Sequence, residues 1–373
     1  MVDLKSQYEK IKDTVNASIQ EVLDTNTYIN GPEVQKFQKN LEQYLNVKHV
    51  IPCANGTDAL QIAMMGLGLK PGDEVITADF TFAATVETIA LLQLTPVLVD
   101  VDLYNMNINI DAVRKAITPK TKAIIPVHLF GRATNMEAIM HIANEHNLFV
   151  IEDNAQAIGA NCKFSDGTKK KAGTIGHVGA TSFFPSKNLG CYGDGGAIFT
   201  NDDALAHTLR GIVNHGMYER YHHDVVGVNS RLDSIQAAVL NSKLPLLDQY
   251  GKARQDAARK YTATLQNHKN IVAPSICDIC DCHVFHQYTL RIVNADRNGL
   301  MQHLLDKGIP CAIYYPIPLH SQKAYLDSRY KEEDFPVTNQ LVKEVLSLPM
   351  HTELDDEQIK FITDTILEFL KDK

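Results

Sequence analysis

Short apolar runs alternate with stretches of helical spacing over roughly the first 240 residues of this 373-residue chain. Apolar residues recur every three or four positions in TDALQIAMMGLGL, MEAIMHIANEHN and SRLDSIQAAVLNSKL, which predicts helices. The runs with strand character are DEVITA, TPVLVDVD, KAIIPVHLFG, NLFVIEDN, GATSFF and GGAIFT. Strands that alternate with helices predict an α/β fold whose mainly parallel sheet is flanked by helices on both faces.

The pattern changes near residue 250. A helical stretch, KARQDAARKYTATLQ, precedes strand-like HQYTLRIV and CAIYYPIP and a closing helix, DDEQIKFITDTILEFL. The chain is also longer than one hydrophobic core usually fills. We therefore expect a large domain over residues 1–248 and a smaller C-terminal α+β domain over residues 249–373.

The composition limits the classes of partner. The chain is 45% apolar and 21% charged, as soluble enzymes are, and its formal net charge is -8 with lysine and arginine dispersed. This charge distribution gives no reason to expect a nucleic-acid partner. No window approaches the roughly 18 uninterrupted apolar residues of a spanning helix, and the polar start MVDLKSQYEK is unlike a signal peptide. We expect a cytoplasmic protein with no membrane partner.

Seven cysteines without a secretory signal predict free thiols in a reducing compartment. Cys277, Cys280 and Cys282 lie beside His283 and His286 in SICDICDCHVFH. Thiolates and imidazoles are zinc ligands, so this cluster has the chemistry of a metal site. A single CxxC without a second well-spaced pair favours a surface loop with free thiols instead, and we predict no metal.

A lysine, Lys187, stands between an aromatic, apolar stretch and a glycine-rich turn in SFFPSKNLGCYGDGG. About 30 residues upstream, LFVIEDNAQAIGA places Asp153 at the end of a predicted buried strand, with Gln156 shortly after it. Ligands collect at the carboxyl ends of parallel strands. An amine that forms a Schiff base and an acid that keeps a pyridine nitrogen protonated are what pyridoxal 5'-phosphate requires, so we predict this cofactor.

A phosphate site is predicted in CANGTDALQIAMMGLGL, where Gly56, Thr57 and Asp58 open a helix. The first turn of a helix offers unpaired N–H groups and a positive dipole end. Taken alone, NGTD is more often just a capped helix start, and it indicates a phosphate site only because a phosphate-bearing cofactor is already predicted. Ser182, on the strand that leads to Lys187, could add a hydroxyl to the same phosphate.

Phe82 follows a predicted strand in ADFTFAATVETIALL. Its ring could stack on a planar pyridine ring, or it could be a core aromatic at a strand–helix turn. The glycine run after Lys187 fits neither GxGxxG after a strand nor GxxxxGK followed by Ser or Thr, so a nucleotide-phosphate fingerprint is not predicted.

Motifs spread over nearly the whole chain carry a family resemblance. They are YINGPEV, NGTDAL, TFAAT, EDNAQAIGA, SFFPSKNLGCYGDGG, GVNSRLDSIQAAVL, YYPIPLH and LSLPMH. With these motifs the chain resembles the DegT/DnrJ/EryC1/StrS family of sugar aminotransferases, which are fold-type I enzymes that use pyridoxal phosphate. The resemblance implies that Lys187 is the Schiff-base lysine and proton carrier, Asp153 the partner of the pyridine nitrogen, and Gln156 the neighbour of the ring hydroxyl.

The same resemblance implies the remaining cofactor contacts. Gly56, Thr57 and Ser182 resemble the family's phosphate contacts, and Phe82 resembles its stacking aromatic. Asn229, in GVNSRLD, resembles a residue that reaches the phosphate from the other subunit. The implied assembly is a homodimer with shared active sites.

The resemblance also implies the substrates: an amino-acid donor, glutamate, and a nucleotide-linked keto-sugar. SFFPSKNLGCYGDGG and RYHHDVVGVNSRLD are most similar to C3 aminotransferases of a UDP-linked 2-acetamido-3-keto-uronic acid, used for surface polysaccharide such as lipopolysaccharide O-antigen. Arg231 could pair with the sugar carboxylate, or could bind the diphosphate or an intersubunit carboxylate. Tyr314, Tyr315 and His320 could contact the sugar from the small domain, or the tyrosines could simply pack beside prolines.

Other functions stay open at this point. The acceptor could be a dTDP-linked 3-keto-6-deoxyhexose or a 4-keto sugar, although many C4 enzymes carry GEGG where this chain has GDGG. A non-catalytic cofactor- or sugar-binding regulator is the alternative from a different class, and the complete set of cofactor groups around Lys187 argues against it. The family's dehydratases replace the lysine with histidine, so Lys187 favours transamination. His128, His177 and His215 are given no role.

Overall fold

Strands and helices alternate along the chain in a computed structural model that describes residues 1–276 and 282–371. The strands are β1 (His49–Cys53), β2 (Glu74–Ala78), β3 (Thr95–Val99), β4 (Thr121–Ile125), β5 (Phe149–Asp153), β6 (Asn161–Lys163), β7 (Lys169–Lys171), β8 (Val178–Ser182), β9 (Gly196–Thr200), β10 (Met217–Glu219), β11 (His222–His223), β12 (Ile271–Val272), β13 (Tyr288–Ile292) and β14 (Val345–Leu348). The helices are α1 (Leu4–Thr25), α2 (Pro32–Leu45), α3 (Gly56–Gly66), α4 (Ala84–Leu91), α5 (Ile110–Ala116), α6 (Met136–His146), α7 (Asp203–Ile212), α8 (Ser234–Lys243), α9 (Leu247–Leu265), α10 (Arg297–Asp306), α11 (Pro336–Glu344) and α12 (Asp356–Leu370).

The central sheet has seven strands in the order β1-β9-β8-β5-β4-β2-β3. Strands β8, β5, β4, β2 and β3 are parallel neighbours, whereas β9 pairs antiparallel with both β1 and β8. β9 is thus the strand of this sheet that runs against the others. The predicted α/β fold with a mainly parallel sheet is confirmed, and the carboxyl ends of β2, β4, β5 and β8 meet at one edge.

Hydrophobic side chains cover both faces of this sheet, which explains the nearly continuous apolar runs of its strands. Ile76, Ile124 and Val150 pack in a core that includes residues of α5 and α6. Their sequence neighbours Val75 and Ile151 point to the opposite core, formed with α3 and α7. Side chains alternate between the two faces along each strand. Both faces are therefore dry, and polar groups concentrate at the strand ends.

The C-terminal part has its own antiparallel sheet, in the order β12-β13-β14. Its core includes Tyr288, Leu290 and Leu346 together with apolar side chains of α9, α10 and α12. This agrees with the smaller α+β unit expected from the sequence. Helix α9 begins at Leu247, so the predicted division between residues 248 and 249 falls in its first turn; that division stays a prediction.

The segment CAIYYPIP does not form the predicted strand. Ala312 pairs with Ser347 in an isolated bridge, and the chain then leaves the small sheet to run towards the carboxyl end of β2, where Leu319 donates to the carbonyl of Asp79. Pro316 and Pro318 have no N–H to give to a sheet, which is why the β-like composition does not yield a strand here.

Two long N-terminal helices, α1 and α2, were not predicted from the sequence. Helix α1 buries only Val15 and Val22 and leaves most of its other side chains at least partly exposed. Its apolar stripe is too narrow to give a strong helical pattern. No described helix combines the length and apolar character that crossing a membrane would require.

Asp100 joins the central sheet to the C-terminal part. It follows β3 and accepts hydrogen bonds from the backbone N–H of Val337 and Thr338 and from the Thr338 hydroxyl, at 2.9, 2.9 and 2.8 Å. The first-turn N–H groups of α11 lack an intrahelical partner, and Phe335 at the helix start gives none. Asp100 therefore caps α11 from a distant part of the chain.

We predict that Asp100→Ala lowers the free energy of unfolding by about 1–2 kcal/mol, the usual cost of a lost cap. Asp100→Asn, which keeps an acceptor, should lose less than half as much. Urea unfolding followed by circular dichroism gives the comparison, with Asp224→Ala in an exposed loop as control, since no hydrogen bond of that carboxylate is described. An Asp100→Ala protein as stable as the parent would rule out this cap.

Candidate active site

Lys187 lies in a tightly bonded turn directly after β8. Its backbone N–H donates to Phe184 at 2.8 Å, and the N–H of Cys191 returns to the carbonyl of Phe183 at 2.8 Å. The buried ammonium of Lys243 donates to Gly190 at 2.8 Å and fixes the far side of the turn. This backbone is held in place independently of any ligand.

Burial lowers the pKa of Lys187 to about 8, although the carboxylate of Asp153 acts in the opposite direction. An ordinary lysine has a pKa near 10.4. A larger share of Lys187 is therefore neutral at physiological pH, and a neutral amine is the nucleophilic form.

Asp153 ends β5 and is 6% exposed. One carboxylate oxygen accepts from the hydroxyl of Thr85 at 2.8 Å and the other from the N–H of Ala155 at 3.1 Å. Its backbone N–H donates to Pro126 at 3.0 Å and its carbonyl accepts from His128 at 3.0 Å. The carboxylate is thus fixed near the Lys187 amine and keeps acceptor capacity for a cationic ring nitrogen.

Glu152 and His128, neither assigned a role from the sequence, support Asp153 from within the protein. Both side chains are fully buried, and the His128 Nε2–Glu152 Oε2 distance is 2.9 Å. The carboxylate of Glu152 also accepts three backbone N–H groups from residues 173–176. Because His128 Nδ1 accepts from the N–H of Thr134, its Nε2 carries the proton and donates to Glu152. This network fixes the ends of β4 and β5.

Gln156 is oriented by two hydrogen bonds. Its Oε1 accepts from the N–H of Phe130 at 2.6 Å, and its Nε2 donates to the hydroxyl of Tyr315 at 3.1 Å. The ring of Tyr315 lies among those of Phe80, Phe82 and Phe130, with centroids 6.1 to 6.5 Å apart, and burial raises its pKa. Tyr315 therefore joins the C-terminal part to the predicted ring-hydroxyl contact.

The predicted phosphate contacts come together at the start of α3. Asn55 caps this helix by accepting from the N–H of Asp58 at 2.8 Å. A Cβ on Gly56 would lie 2.7 Å from the Cβ of Ser182, so the helix start and the end of β8 touch only because residue 56 is glycine. Thr57 is half-buried beside them. The site thus has a capped helix start, a close glycine and a hydroxyl, which together suit a phosphate.

Phe82 is 57% exposed after β2, so it is not the core aromatic that the sequence left possible. Its ring is tilted 40° to that of Tyr315 at 6.2 Å. An exposed ring at the edge of the sheet where Asp153 lies has a free face for stacking, and its role in cofactor binding stays a prediction.

His320 is buried in a different arrangement from the one expected of a sugar contact. Its backbone N–H and its Nδ1 both lie 2.7 Å from the carboxylate of Asp79, and its ring stacks on Phe335 at 4.5 Å. These contacts fasten the YYPIPLH segment to the end of β2. Tyr314 is half-buried, next to Tyr315 at 5.9 Å between ring centroids. Sugar contacts by either residue stay predictions.

Asn229 and Arg231 lie on the loop before α8. Asn229 is exposed and pairs through its backbone with Asn214, whereas Arg231 is half-buried. Between them, the hydroxyl of Ser230 accepts from the N–H of Ala54, just before α3. The loop therefore passes the phosphate side of the site, and the predicted roles of both residues remain to be tested.

The cysteine-rich segment differs in part from expectation. Cys282 is disulfide-bonded, which corrects the prediction that the thiols are free, whereas Cys53, Cys191 and Cys311 are free thiols. Cys277 and Cys280 lie outside the described residues. Burial lowers the pKa of His283 to about 3, so this imidazole stays neutral inside the protein. No trio of metal-ligating side chains is found within the described ranges.

The donor set fits pyridoxal phosphate: an amine of lowered pKa, a carboxylate beside it, and a helix start that only glycine allows to approach Ser182. Fold and site together define a pyridoxal phosphate-dependent aminotransferase. The chain belongs to the DegT/DnrJ/EryC1/StrS aminotransferase family, whose sequence profile matches residues 9–367.

Relatives and solved structures cover almost the whole chain. A Pseudomonas aeruginosa protein named UDP-2-acetamido-2-deoxy-3-oxo-D-glucuronate aminotransferase is 47% identical, covering 97% of each chain. An Acidithiobacillus ferrooxidans protein named UDP-N-acetyl-3-dehydro-alpha-D-glucosamine 3-aminotransferase is 43% identical, covering 98% of this chain and 96% of its own. A crystal structure of a family member from Brucella abortus has a TM-score of 0.92 at 43% identity, covering 99% of this chain and 98% of its own.

Two further relatives carry other names. A Streptomyces venezuelae protein named dTDP-3-amino-3,4,6-trideoxy-alpha-D-glucose transaminase is 37% identical, over 99% of this chain and 95% of its own. A Geobacillus stearothermophilus protein named pleiotropic regulatory protein is 45% identical, over 100% of this chain and 98% of its own. The family is therefore clear, while the nucleotide and sugar differ among its members.

We predict that Gly56→Ala weakens pyridoxal phosphate binding by about tenfold or more, which is about 1.4 kcal/mol, since the helix start or Ser182 must move. Absorbance titration of the cofactor-free protein measures this affinity. Gly251→Ala is the matched control, because a Cβ there meets nothing within 4 Å. Equal affinities for Gly56→Ala and the parent would exclude the helix start as the phosphate site.

Proposed function

We propose that this enzyme transfers the amino group of glutamate to C3 of a UDP-linked 2-acetamido-3-keto-uronic acid, for surface polysaccharide synthesis. The observation that carries the aminotransferase chemistry is the position of Lys187 after β8, next to the end of β5 where the carboxylate of Asp153 is fixed; burial lowers the pKa of the Lys187 amine to about 8. The similarity to the Pseudomonas aeruginosa protein supports this acceptor.

When bound, pyridoxal phosphate supplies an electron sink for the carbanion formed at the donor's Cα. Lys187 would hold the cofactor until the amine of the donor replaces it, and the freed neutral amine of Lys187 would then take the proton from the donor's Cα. Asp153, whose carboxylate is fixed by Thr85 and Ala155, would accept a hydrogen bond from the ring nitrogen and so favour its protonated form. Gln156, held by Phe130 and Tyr315, orients the ring through its hydroxyl.

The acceptor sugar is bound mainly by the exposed loop before α8 and by the YYPIPLH segment. Arg231 pairs with the uronate carboxylate through its planar guanidinium. Tyr314 contacts the sugar beside Tyr315, and His320 holds this segment to the sheet. A dTDP-linked 3-keto-6-deoxyhexose is the alternative acceptor, favoured by similarity to the Streptomyces venezuelae protein.

The active unit is a homodimer in the cytoplasm, with Asn229 reaching the phosphate of the other subunit. Exposed apolar side chains support this assembly: Ile29 is 50% and Phe184 51% exposed. Phe184 lies three residues from Lys187, so a partner covering it would also close the site.

The two half-reactions can be followed in the visible spectrum of the holoenzyme. We expect glutamate to remove the absorption band of the cofactor bound at Lys187, and UDP-2-acetamido-3-keto-uronic acid to restore it. Lys187→Ala should lack the band and turnover, because tether and proton carrier are lost together. The matched control is Lys170→Ala, which replaces an exposed lysine. Lys243 is unsuitable as a control because its loss would disturb the turn that carries Lys187.

The outcomes separate the levels of the proposal. If glutamate removes the band and only the dTDP-linked sugar restores it, the protein is an aminotransferase whose acceptor is the dTDP-linked sugar. A protein that binds the cofactor and responds to neither substrate would favour the regulator. Absence of any band with added pyridoxal phosphate would refute the role of Lys187.

Arg231 can be tested with a matched pair of acceptors. We predict that Arg231→Lys raises KM for the keto-uronate about tenfold or more, the range of a lost charge-assisted bidentate contact. KM for UDP-N-acetyl-3-keto-glucosamine, which lacks the carboxylate, should change less than about twofold. Steady-state kinetics with both sugars gives the comparison. An equal rise for both acceptors would place Arg231 on the diphosphate.

A further inference from the structure

Arg254, on α9, is a buried cation whose described contacts include no carboxylate. Its side chain belongs to a residue that is 4% exposed, and burial alone lowers the pKa of its guanidinium to about 10. A buried charge is costly unless hydrogen bonds compensate it. The groups that accept hydrogen bonds from Arg254 therefore identify the segments that it holds in place.

Those groups are backbone carbonyls of two separate segments. Arg254 Nη1 lies 3.2 Å from the carbonyl oxygen of Phe285, 3.3 Å from that of His286 and 3.1 Å from that of Met350. Phe285 and His286 belong to the segment Val284–Gln287, which we call the tie segment. Arg254 is the cation that fixes the tie segment to the small antiparallel sheet, since Met350 follows β14.

The other edge of the tie segment contacts both cofactor-facing elements. The side-chain amide of Asn188, the residue after Lys187, donates to the carbonyl of Val284 at 3.0 Å. The N–H of Val284 donates to Gly131 at 2.9 Å, and the N–H of Gln287 donates to Phe130 at 3.3 Å. Phe130 in turn fixes Gln156 through the 2.6 Å hydrogen bond described above.

The fit between these elements is close. Gly131 has φ +95°, and a Cβ there would lie 2.8 Å from the backbone nitrogen of His286. Asn188 is 5% exposed, and its Oδ1 has no partner among residues 1–276 and 282–371. The contact with Val284 is therefore the one described hydrogen bond of this side chain, and loss of the tie segment would leave it unsupported.

We propose that Arg254 is a positioning residue for Lys187 and Gln156, which it holds through the tie segment. The proposal rests on the proposed function only for the role of Lys187 in catalysis. Arg254 lies too deep to act on the substrate directly. Its effect is to keep the tie segment against Asn188 and Phe130, so that water stays away from the Lys187 amine.

Electrostatics around the tie segment agree with this arrangement. Burial lowers the pKa of His286 well below its ordinary value, and the cations of Lys187 and Arg254 add to the effect. His286 is thus neutral and adds no positive charge next to the Lys187 amine. Among the described residues, Lys187 and Arg254 are the charged groups whose effect on His286 is resolved.

The test measures the pH at which Lys187 becomes reactive in the full-length, cofactor-free protein. Lys187 is acetylated at a series of pH values and quantified by mass spectrometry. The parent should show a midpoint near the pKa of about 8. In Arg254→Met we expect the midpoint to rise by about one pH unit or more, towards the ordinary value, because water reaches the amine. Arg254→Lys should fall between the two.

The control is Arg259→Met on the same helix, which replaces a half-exposed arginine paired with Asp256 and should leave the midpoint unchanged. A folded Arg254→Met protein with the parental midpoint would overturn the proposal and leave Arg254 a purely stabilising residue. If Arg254→Met does not fold, the acetylation midpoint of Arg254→Lys is compared with that of the parent instead. A raised midpoint supports the proposal, and an unchanged midpoint overturns it.

Failure of the proposed function would look different. Borohydride trapping of pyridoxal phosphate on the parent holoenzyme, followed by peptide mapping, tests whether Lys187 carries the cofactor at all. Trapping on another lysine would refute the function while the Arg254 midpoint could still shift.

Discussion

The placement of Asp153 at the end of β5 and of the Lys187 turn after its parallel neighbour β8 is the constraint on which the rest of the site depends. A buried amine and a buried carboxylate each lose hydration, so their positions must be fixed by the protein rather than by water. The parallel pair β5 and β8 provides this, because Asp153 ends one strand and the Lys187 turn follows the other. After the turn the chain reverses direction in β9, which pairs with β8 and places Gly196 opposite Ser182.

A second set of buried polar groups supports this pair without touching it. Glu152 and His128 fix the ends of β5 and β4, and Lys243 fixes the glycine-rich turn. Each of these ions or dipoles is compensated mainly by backbone groups, which cannot change rotamer. Because their partners are backbone groups of the sheet and the turn, these side chains are held in fixed positions. Fixed positions suit a site whose geometry must exist before the cofactor binds.

The sequence could predict the sheet and the Lys187–Asp153 pair because both leave local signals: apolar runs, a glycine-rich turn and an acid at a strand end. It could not show that Asp100 caps α11, that Thr85 bonds Asp153, or that His320 faces Asp79. These contacts join residues 68 to 241 positions apart and depend on where strand ends meet. The segment CAIYYPIP was predicted as a strand because it contains β-branched and aromatic residues. Its prolines lack the backbone N–H groups that a strand donates to its neighbour, so no strand forms.

The difference between fixed and exposed residues also explains why the type of reaction is easier to infer than the substrate. Asp153 and Gln156 are buried at the strand ends, and the Lys187 turn is held by backbone hydrogen bonds, so one arrangement of the fold determines them. Asn229 is exposed, and Arg231 beside it is half-buried. A loop of this kind can change its contacts without disturbing the sheet, and relatives of this chain are named for different nucleotide sugars. If Arg231 binds the acceptor as proposed, one arginine rather than a different fold would discriminate a uronate from its uncharged analogue, since a carboxylate left without its cation costs far more than a lost neutral contact.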